Sequence, residues 1–510
     1  MSGSRMIGSP SNDRADGHLA ADVSHAPHAP RPTGLVPGSG QTGAVGPQAA
    51  LVLDPELLGR FDATGPRYTS YPTADRFTER FGADDYRSWL ARRGTLGPGG
   101  AWRALSLYVH VPFCEQLCYY CGCNKIVTRH HERVPRYLEA LARETELVSQ
   151  ALTGSRRVEQ LHLGGGTPTF LSIAELDTLL DGLRRHFEFS THGDFGIEID
   201  PRTVTPATIK SLAQLGFNRV SLGVQDFNPL VQKAINRIQS LEGTAQVIDA
   251  ARHAQFKSIN LDLIYGLPLQ SRASFAATLD VVLKLRPDRI ALYNYAHLPE
   301  RFKPQRRIDR AQIPAPHDKL GIMCDAIERL VGAGYVLIGM DHFALPDDEL
   351  ARAQRKSRLH RNFQGYSTHP DCDLIGLGVS SIGKIGPTYA QSARDLETYY
   401  AAVESGRLPI IRGLVLDADD LVRRTVIVAL MCQFGVSKES ISSAYLIDFN
   451  TYFHEELGRL AALEELEMVE VTRDRIAVTP KGRLLVRAVA MAFDKYLTPG
   501  TAGGRYSRLI

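Results

Sequence analysis

No apolar run in the sequence approaches the ~18 residues that a membrane span needs, which excludes a spanning helix. Neither sign of charge dominates. The chain has 59 Lys and Arg against 56 Asp and Glu, for a net charge of +3. That is too mild for a general nucleic-acid binder, which carries a dense basic face. Cysteine is scarce and odd in number, at 7 in 510 residues, which excludes a disulfide scaffold of evenly spread pairs. The start of the chain lacks the apolar h-region of a secretory leader, and Asp13, Asp16 and Asp22 argue against an acid-poor transit peptide. A reducing, cytoplasmic setting is expected. Residues 1–50 contain no aromatic residue and are rich in Ala, Gly, Pro and Ser. Such a segment buries too little apolar surface to offset its chain entropy, so a disordered tail is expected there.

The rest of the sequence has the composition of an ordinary soluble enzyme. Hydrophobic residues make up 44% and charged residues 23%. At this length the chain can bury a large core without a disulfide or a metal. From about Leu105, short β-rich runs alternate with amphipathic stretches of helical length. Strands are expected at Leu105–Val111, Gln160–Leu163, Phe195–Ile199, Arg219–Val224, Ser258–Ile264, Arg289–Tyr293 and Tyr335–Gly339. Helices are expected near 134–151, 172–187, 205–215, 241–254, 272–285 and 315–332. This rhythm implies parallel βαβ units, in number short of the eight of a full barrel. The fold class expected is α/β, a partial (β/α)6-type barrel. Thr167, Glu198, Gln225, Asp262 and Asn294 each close or follow a predicted strand at its C-terminal side, the face that carries chemistry in parallel barrels. For any one of them a turn or cap role is an equal reading.

Past about residue 415 the rhythm stops. Helices near 417–433, 438–445 and 450–464 precede a hairpin at Met468–Val478 and a helix starting near Pro480–Lys481. The expected organisation is a tail at 1–50, an N-terminal extension or lid at 51–104, a barrel at 105–414, and a mostly helical domain at 415–510 that resembles a winged helix. That last module lacks a concentrated basic face, so it reads better as a cover for the barrel than as a DNA reader.

Four of the seven cysteines crowd into one loop after the first strand: Cys114, Cys118, Cys121 and Cys123. Three thiolates spaced C-x-x-x-C-x-x-C can wrap one corner of a cubane, and using only three leaves one iron open for a ligand. Structural zinc is an alternative, although it prefers well-separated Cys pairs. A chance group of buried thiols is another.

The same spacing resembles the signature of the radical S-adenosylmethionine (SAM) enzymes. The fuller strings, Tyr108-Val-His-Val-Pro-Phe-Cys114 and Cys118-Tyr-Tyr-Cys-Gly-Cys-Asn-Lys125, resemble the oxygen-independent coproporphyrinogen III oxidases. So do Arg67-Tyr-Thr-Ser-Tyr-Pro-Thr73, Gly164-Gly-Gly-Thr-Pro168, Gly223-Val-Gln-Asp-Phe227, Leu261-Asp-Leu-Ile-Tyr-Gly-Leu-Pro268, Asn294-Tyr-Ala-His-Leu-Pro299 and His360-Arg-Asn-Phe-Gln-Gly-Tyr366. Tyr120 stands where that family often has Phe.

The resemblance implies a [4Fe–4S] cluster held by Cys114, Cys118 and Cys121, with SAM chelating the fourth iron. Tyr108, Gly165, Gly166, Thr167 and Glu198 are expected around that SAM. A second SAM is expected at Tyr120, Gly166, Thr167, Gln225, Arg237, Asp262, Ala296 and Ile382. Cys123 is expected near the reacting centre as a catalytic residue. The implied reaction converts two propionates of coproporphyrinogen III to vinyl groups through a 5′-deoxyadenosyl radical. It needs an unidentified one-electron donor and neither nucleic acid nor membrane, in a monomer. Arg67 and Arg361 are candidates for the substrate carboxylates, since Arg pairs with carboxylates through two parallel bonds. One rival reading is a related haem chaperone. Another is a redox-sensing transcription factor that uses the cluster and the 415–510 module.

Overall fold

The computed structural model describes residues 51–61, 64–96, 103–369 and 372–497. The expected tail at 1–50 lies outside them. The first half of the chain lays down β1 (Leu105–Val111), β2 (Arg157–Gly165), β3 (Glu188–Ile199), β4 (Arg219–Gln225), β5 (Ser258–Tyr265) and β6 (Arg289–Asn294). They pair in that order, all parallel. The register sets Leu107 beside Leu161 and Val109 beside Leu163. These side chains are buried, as expected for strands covered on both faces.

The crossover helices are α1 (Val134–Ala151), α2 (Ile173–Arg184), α3 (Pro206–Gln214), α4 (Leu241–His253), α5 (Arg272–Leu285) and α6 (Pro316–Gly332). Their starts are written locally. Ser172 and Glu175 form a reciprocal capping box, Thr205 caps a helix whose first residue is Pro206, and Ser240 and Ser271 accept from the first-turn amides.

The sheet does not end with these units. It has 12 strands. On one side it continues to β8 (His342–Ala344) and then β7 (Val336–Gly339), both antiparallel. The strand expected at Tyr335–Gly339 therefore exists, but it turns back as the edge of a hairpin and does not extend the barrel. On the other side β9 (Asp373–Leu377) lies parallel to β1, followed by antiparallel β10 (Ile382–Ile385), β11 (Thr388–Ser392) and β12 (Ile410–Val415). The sheet is thus a curved, open barrel with antiparallel flanks.

A small hairpin, His360–Asn362 with Gly365–Ser367, lies across the starts of the inner strands. Ser106 donates to Gln364, Ser367 donates to Gln160, and His369 meets Asp194 at 3.1 Å. The opposite, C-terminal ends of the strands stay open.

The C-terminal part begins with α7 (Ala418–Gln433) and continues through Lys438–Tyr445, Phe449–Tyr452 and His454–Glu465. The single helix expected at 450–464 is broken at Phe453, whose buried ring packs against Phe449 and Phe493. The expected hairpin forms as Val469–Val471 and Arg475–Val478, and Gly435–Ser437 adds a third antiparallel strand. The last helix starts later than expected, at Val486–Met491.

The described residues of 51–104, expected as an extension or lid, contribute no side chain to the cleft described below. They fasten the C-terminal part to the sheet. Tyr71 is 1% exposed and packs with Tyr68 and Tyr496, Tyr68 donates to Asp494, and Thr78 bridges to Gly413 beside β11. An aromatic-rich segment of this kind gains more by burial between two bodies than by hanging over an open mouth.

Candidate active site

The loop after β1 is pinched at its neck. The Ile126 amide donates to the Pro112 carbonyl at 2.7 Å and the Thr128 amide to the Cys114 carbonyl at 2.9 Å. Within the lobe the Cys121 amide donates to the Cys118 carbonyl at 3.3 Å, closing a tight turn. Asn236 Nδ2 donates to the Leu117 carbonyl at 2.8 Å and so ties the lobe to the segment after β4. Cys114, Cys118, Cys121 and Cys123 line one cleft of about 280 Å³ at the C-terminal ends of the strands.

The opposite wall comes from several strand ends. Gly165 has φ +110°, and a Cβ there would lie 2.5 Å from the His110 ring; a Cβ on Gly166 would lie 2.7 Å from the backbone of Pro112 and Phe113. Only glycine lets these two backbones pass each other beside the loop. Thr167 donates to Cys114 Sγ at 3.4 Å. Glu198 accepts from the Gly165 amide at 3.2 Å and meets His162 Nε2 at 3.1 Å. Gln225 adopts φ +68°, a left-handed conformation that a turn on buried Asp226 holds in place through Thr278, Gln270 and the Asn228 amide. Asp262 accepts from Ser221 at 3.0 Å and from Asn260 at 2.9 Å. Arg237 is 6% exposed and donates to the Gly223 carbonyl and to Asp200.

The predicted residues divide accordingly. The four cysteines, Tyr120, Gly165, Gly166, Thr167, Glu198, Gln225, Arg237 and Asp262 all line this cleft. Tyr108 stands behind the wall, stacked on His162 at 6.1 Å, with its hydroxyl 3.1 Å from His110 Nδ1. Ala296 is joined to Tyr120 through Gln305, whose Nε2 donates to both carbonyls at 2.9 and 3.1 Å. Ile382 lies on β10 beside Phe77, Tyr389 and Leu416, outside the cleft lining. Asn294, the last of the strand-end polar residues, is also outside it. Arg67 is held by Asp341 and stacks over Tyr293. Arg361 is buried over the Tyr366 ring at 4.7 Å, and its Nε and Nη1 have no hydrogen-bond partner.

Sequence reading missed Asp200, Arg202, Lys125 and the His110–His162 pair. The signal was there for the first two, which follow Glu198 in Glu198-Ile-Asp-Pro-Arg202 at the end of a predicted strand.

Electrostatics separate the groups. Burial lifts the Asp262 carboxyl to about 6, aided by the Glu198 charge and opposed by Ser221 and Asn260. Burial pushes Glu198 the same way, yet the bond and charge of His162 and the Gly165 amide outweigh it and hold Glu198 below the ordinary value. Burial lifts the Cys114 thiol to about 11. The Cys123 thiol donates to Cys121; that bond, with the Lys125 charge, draws Cys121 down and leaves Cys123 high.

The donor set suits a cluster. Three thiols of one loop face a cleft lined by basic and hydrogen-bonding groups. Among the described residues no three Cys, His or acidic side chains converge tightly enough to hold a single metal ion.

Residues 108–282 match the radical SAM superfamily, and residues 416–485 match the HemN C-terminal domain family. The chain is 50% identical over 459 residues to the oxygen-independent coproporphyrinogen III oxidase of Pseudomonas aeruginosa, covering 90% of this chain and 98% of that one. It is 47% identical over 458 residues to the Escherichia coli enzyme of the same name, covering 90% and 98%. Among solved structures it is similar to the Escherichia coli coproporphyrinogen III oxidase, a radical SAM enzyme, with a TM-score of 0.82 at 45% identity over 88% of this chain and 100% of that one. The chain belongs to the oxygen-independent coproporphyrinogen III oxidase family of the radical SAM superfamily.

Proposed function

We propose that this chain converts two propionate side chains of coproporphyrinogen III to vinyl groups, giving protoporphyrinogen IX in haem biosynthesis without oxygen. The observation that carries the reading is the convergence of Cys114, Cys118 and Cys121 with Glu198, Arg237 and Asp262 on one cleft, in a chain whose relatives of that name match it nearly end to end. The same match favours the oxidase over a haem chaperone and over a DNA-binding sensor.

Cys114, Cys118 and Cys121 would hold a [4Fe–4S] cluster. When bound, the cluster supplies one-electron reduction and cleavage of SAM to a carbon-centred radical that abstracts hydrogen. The chain's own residues do the rest. The Gly165–Thr167 backbone and Glu198 form the wall for the amino acid part of one SAM, and low-lying Glu198 is an anion suited to its ammonium. Arg237 and Asp262, with Tyr120, Gln225 and Ala296, stand where a second SAM would lie. Tyr108 backs the first SAM by fixing His162 and His110. Ile382, set apart on β10, needs a ligand that reaches beyond the cleft.

Cys123 reaches the cleft without being needed as a ligand and sits beside the reacting centre. Arg361, with its Nε and Nη1 nitrogens unpartnered, and Arg67 would receive substrate carboxylates. We place the enzyme in the cytoplasm as a monomer served by a separate one-electron donor; among the described residues no helix is long and apolar enough to cross a membrane.

The test is anaerobic incubation with dithionite, SAM and coproporphyrinogen III, followed by porphyrin, methionine and carbon dioxide analysis. The expected yield is two methionines and two carbon dioxides per protoporphyrinogen, with a single-vinyl, three-carboxylate intermediate when SAM is limiting. Haem binding with SAM cleavage but no carbon dioxide would overturn the reading.

A further inference from the structure

Asp200 and Arg202 follow β3 and face the cluster loop, yet none of the contacts proposed above involves Arg202. That arginine is held firmly. Its Nε donates to both Asp200 carboxylate oxygens at 2.9 and 3.1 Å, its Nη2 donates to Asp200 Oδ2 at 2.6 Å, and its Nη1 donates to Gln116 at 2.9 Å. The same Nη2 lies 3.6 Å from Cys118 Sγ. Asp200 Oδ2 accepts a further bond from Arg237 Nη1 at 3.2 Å, and that nitrogen is 3.3 Å from the same sulfur. Cys118 therefore faces two guanidiniums, whereas Cys114 receives the Thr167 hydroxyl. The side chains of Arg202 and Asp200 are 11% and 9% exposed, so solvent screens these charges little.

We infer that Arg202 sets the reduction potential of the cluster through its Cys118 corner, with Asp200 as the opposing charge that aims it. The inference rests on the cluster proposed above. One-electron reduction adds a negative charge to the cluster and its thiolates. An N–H pointed at a thiolate from a fixed cation stabilises the reduced form more than the oxidised one, and so raises the potential. Asp200 acts in the opposite sense by its charge while fixing the direction of the guanidinium. Arg202 is a positioning residue, since it reaches the irons only through Cys118.

The test is an anaerobic redox titration of the reconstituted full chain, followed by electron paramagnetic resonance without SAM or substrate. At the wild-type midpoint, Arg202→Gln is expected to lower the reduced-to-oxidised ratio about tenfold, equal to about 59 mV for one electron. Arg202→Lys, which keeps the charge, should fall between the two. Asp200→Asn, which keeps an acceptor oxygen and loses the charge, should shift the midpoint upward. An unchanged midpoint in Arg202→Gln at full iron content would overturn the inference, as would a downward shift in Asp200→Asn. If Arg202→Gln fails to keep its iron, the direction of the Asp200→Asn shift decides alone. A wild-type chain that takes up no iron–sulfur cluster would overturn the functional reading itself, and the inference with it; a normal cluster with unmoved midpoints overturns the inference only.

Discussion

At the scale of single residues, the cysteine loop makes the sharpest statement. Cys114→Ala, Cys118→Ala and Cys121→Ala are each expected to abolish the ~400 nm absorbance of anaerobically reconstituted protein, because the proposed site needs all three thiolates to hold its cluster. Cys123→Ser should keep the iron and lose turnover. Iron quantitation separates the two outcomes, and iron loss in Cys123→Ser would make it a ligand. Glu144 carries a second prediction. It is 1% exposed and accepts from Tyr399 at 2.6 Å and from the Gly378 amide at 2.7 Å. Burial lifts it from 4.5 to about 7 despite those bonds. Between these values the native state binds more proton than the unfolded state. Stability is therefore full below the lower value and falls as pH rises through the upper one. Glu144→Gln should flatten that fall, read by urea unfolding at about pH 5 and about pH 8. An unchanged slope would show that Glu144 does not cause it.

At the scale of elements, a buried ion pair lies at the start of the ladder that joins β1 and β9. Arg93 is fully buried, and its Nε donates to Asp373 at 2.9 Å; Asp373 also accepts from the Gly386 amide at 3.0 Å. Removing one partner leaves a buried charge uncompensated, so Asp373→Ala is expected to cost about 3–5 kcal/mol in denaturant unfolding. A loss under about 1 kcal/mol would mean the pair is as weak as a surface bridge. The crossover helices and inner strands could be read from the sequence because their period and caps are local. Strands β9 to β12 could not, because short runs such as Ile382–Ile385 become strands only by pairing with a sheet edge that the first half of the chain supplies.

At the scale of the whole molecule, the described residues between 51 and 96 add contacts between the C-terminal part and the sheet, which also meet directly through α7 and β7. The helix Pro55–Arg60 packs on α6, the helix Ala83–Arg92 packs on α1, and Tyr68 and Tyr71 enter the core shared with α7. Deleting residues 1–50 should leave both melting temperature and turnover nearly unchanged, since that segment offers neither aromatic residues nor an amphipathic pattern. A melting temperature lower by several degrees, on the order of 1 kcal/mol for a large domain, would show that it packs.

The sequence by itself determined the alternating β/α rhythm, the cluster loop and the polar residues at the strand ends, because spacing, periodicity and capping act over a few neighbouring residues. It also carried enough specific strings to place the family. Only the tertiary structure decided which strand-end residues share a cleft. Thr167, Glu198, Gln225 and Asp262 do and Asn294 does not, since that depends on strand register and on which face each side chain takes. It likewise decided that the segment holding Tyr68 and Tyr71 packs against the C-terminal part, and that Arg202 meets Cys118 across 84 residues of chain. Contacts between residues so far apart in the chain exist only once the sheet has curved and brought the ends of its strands together.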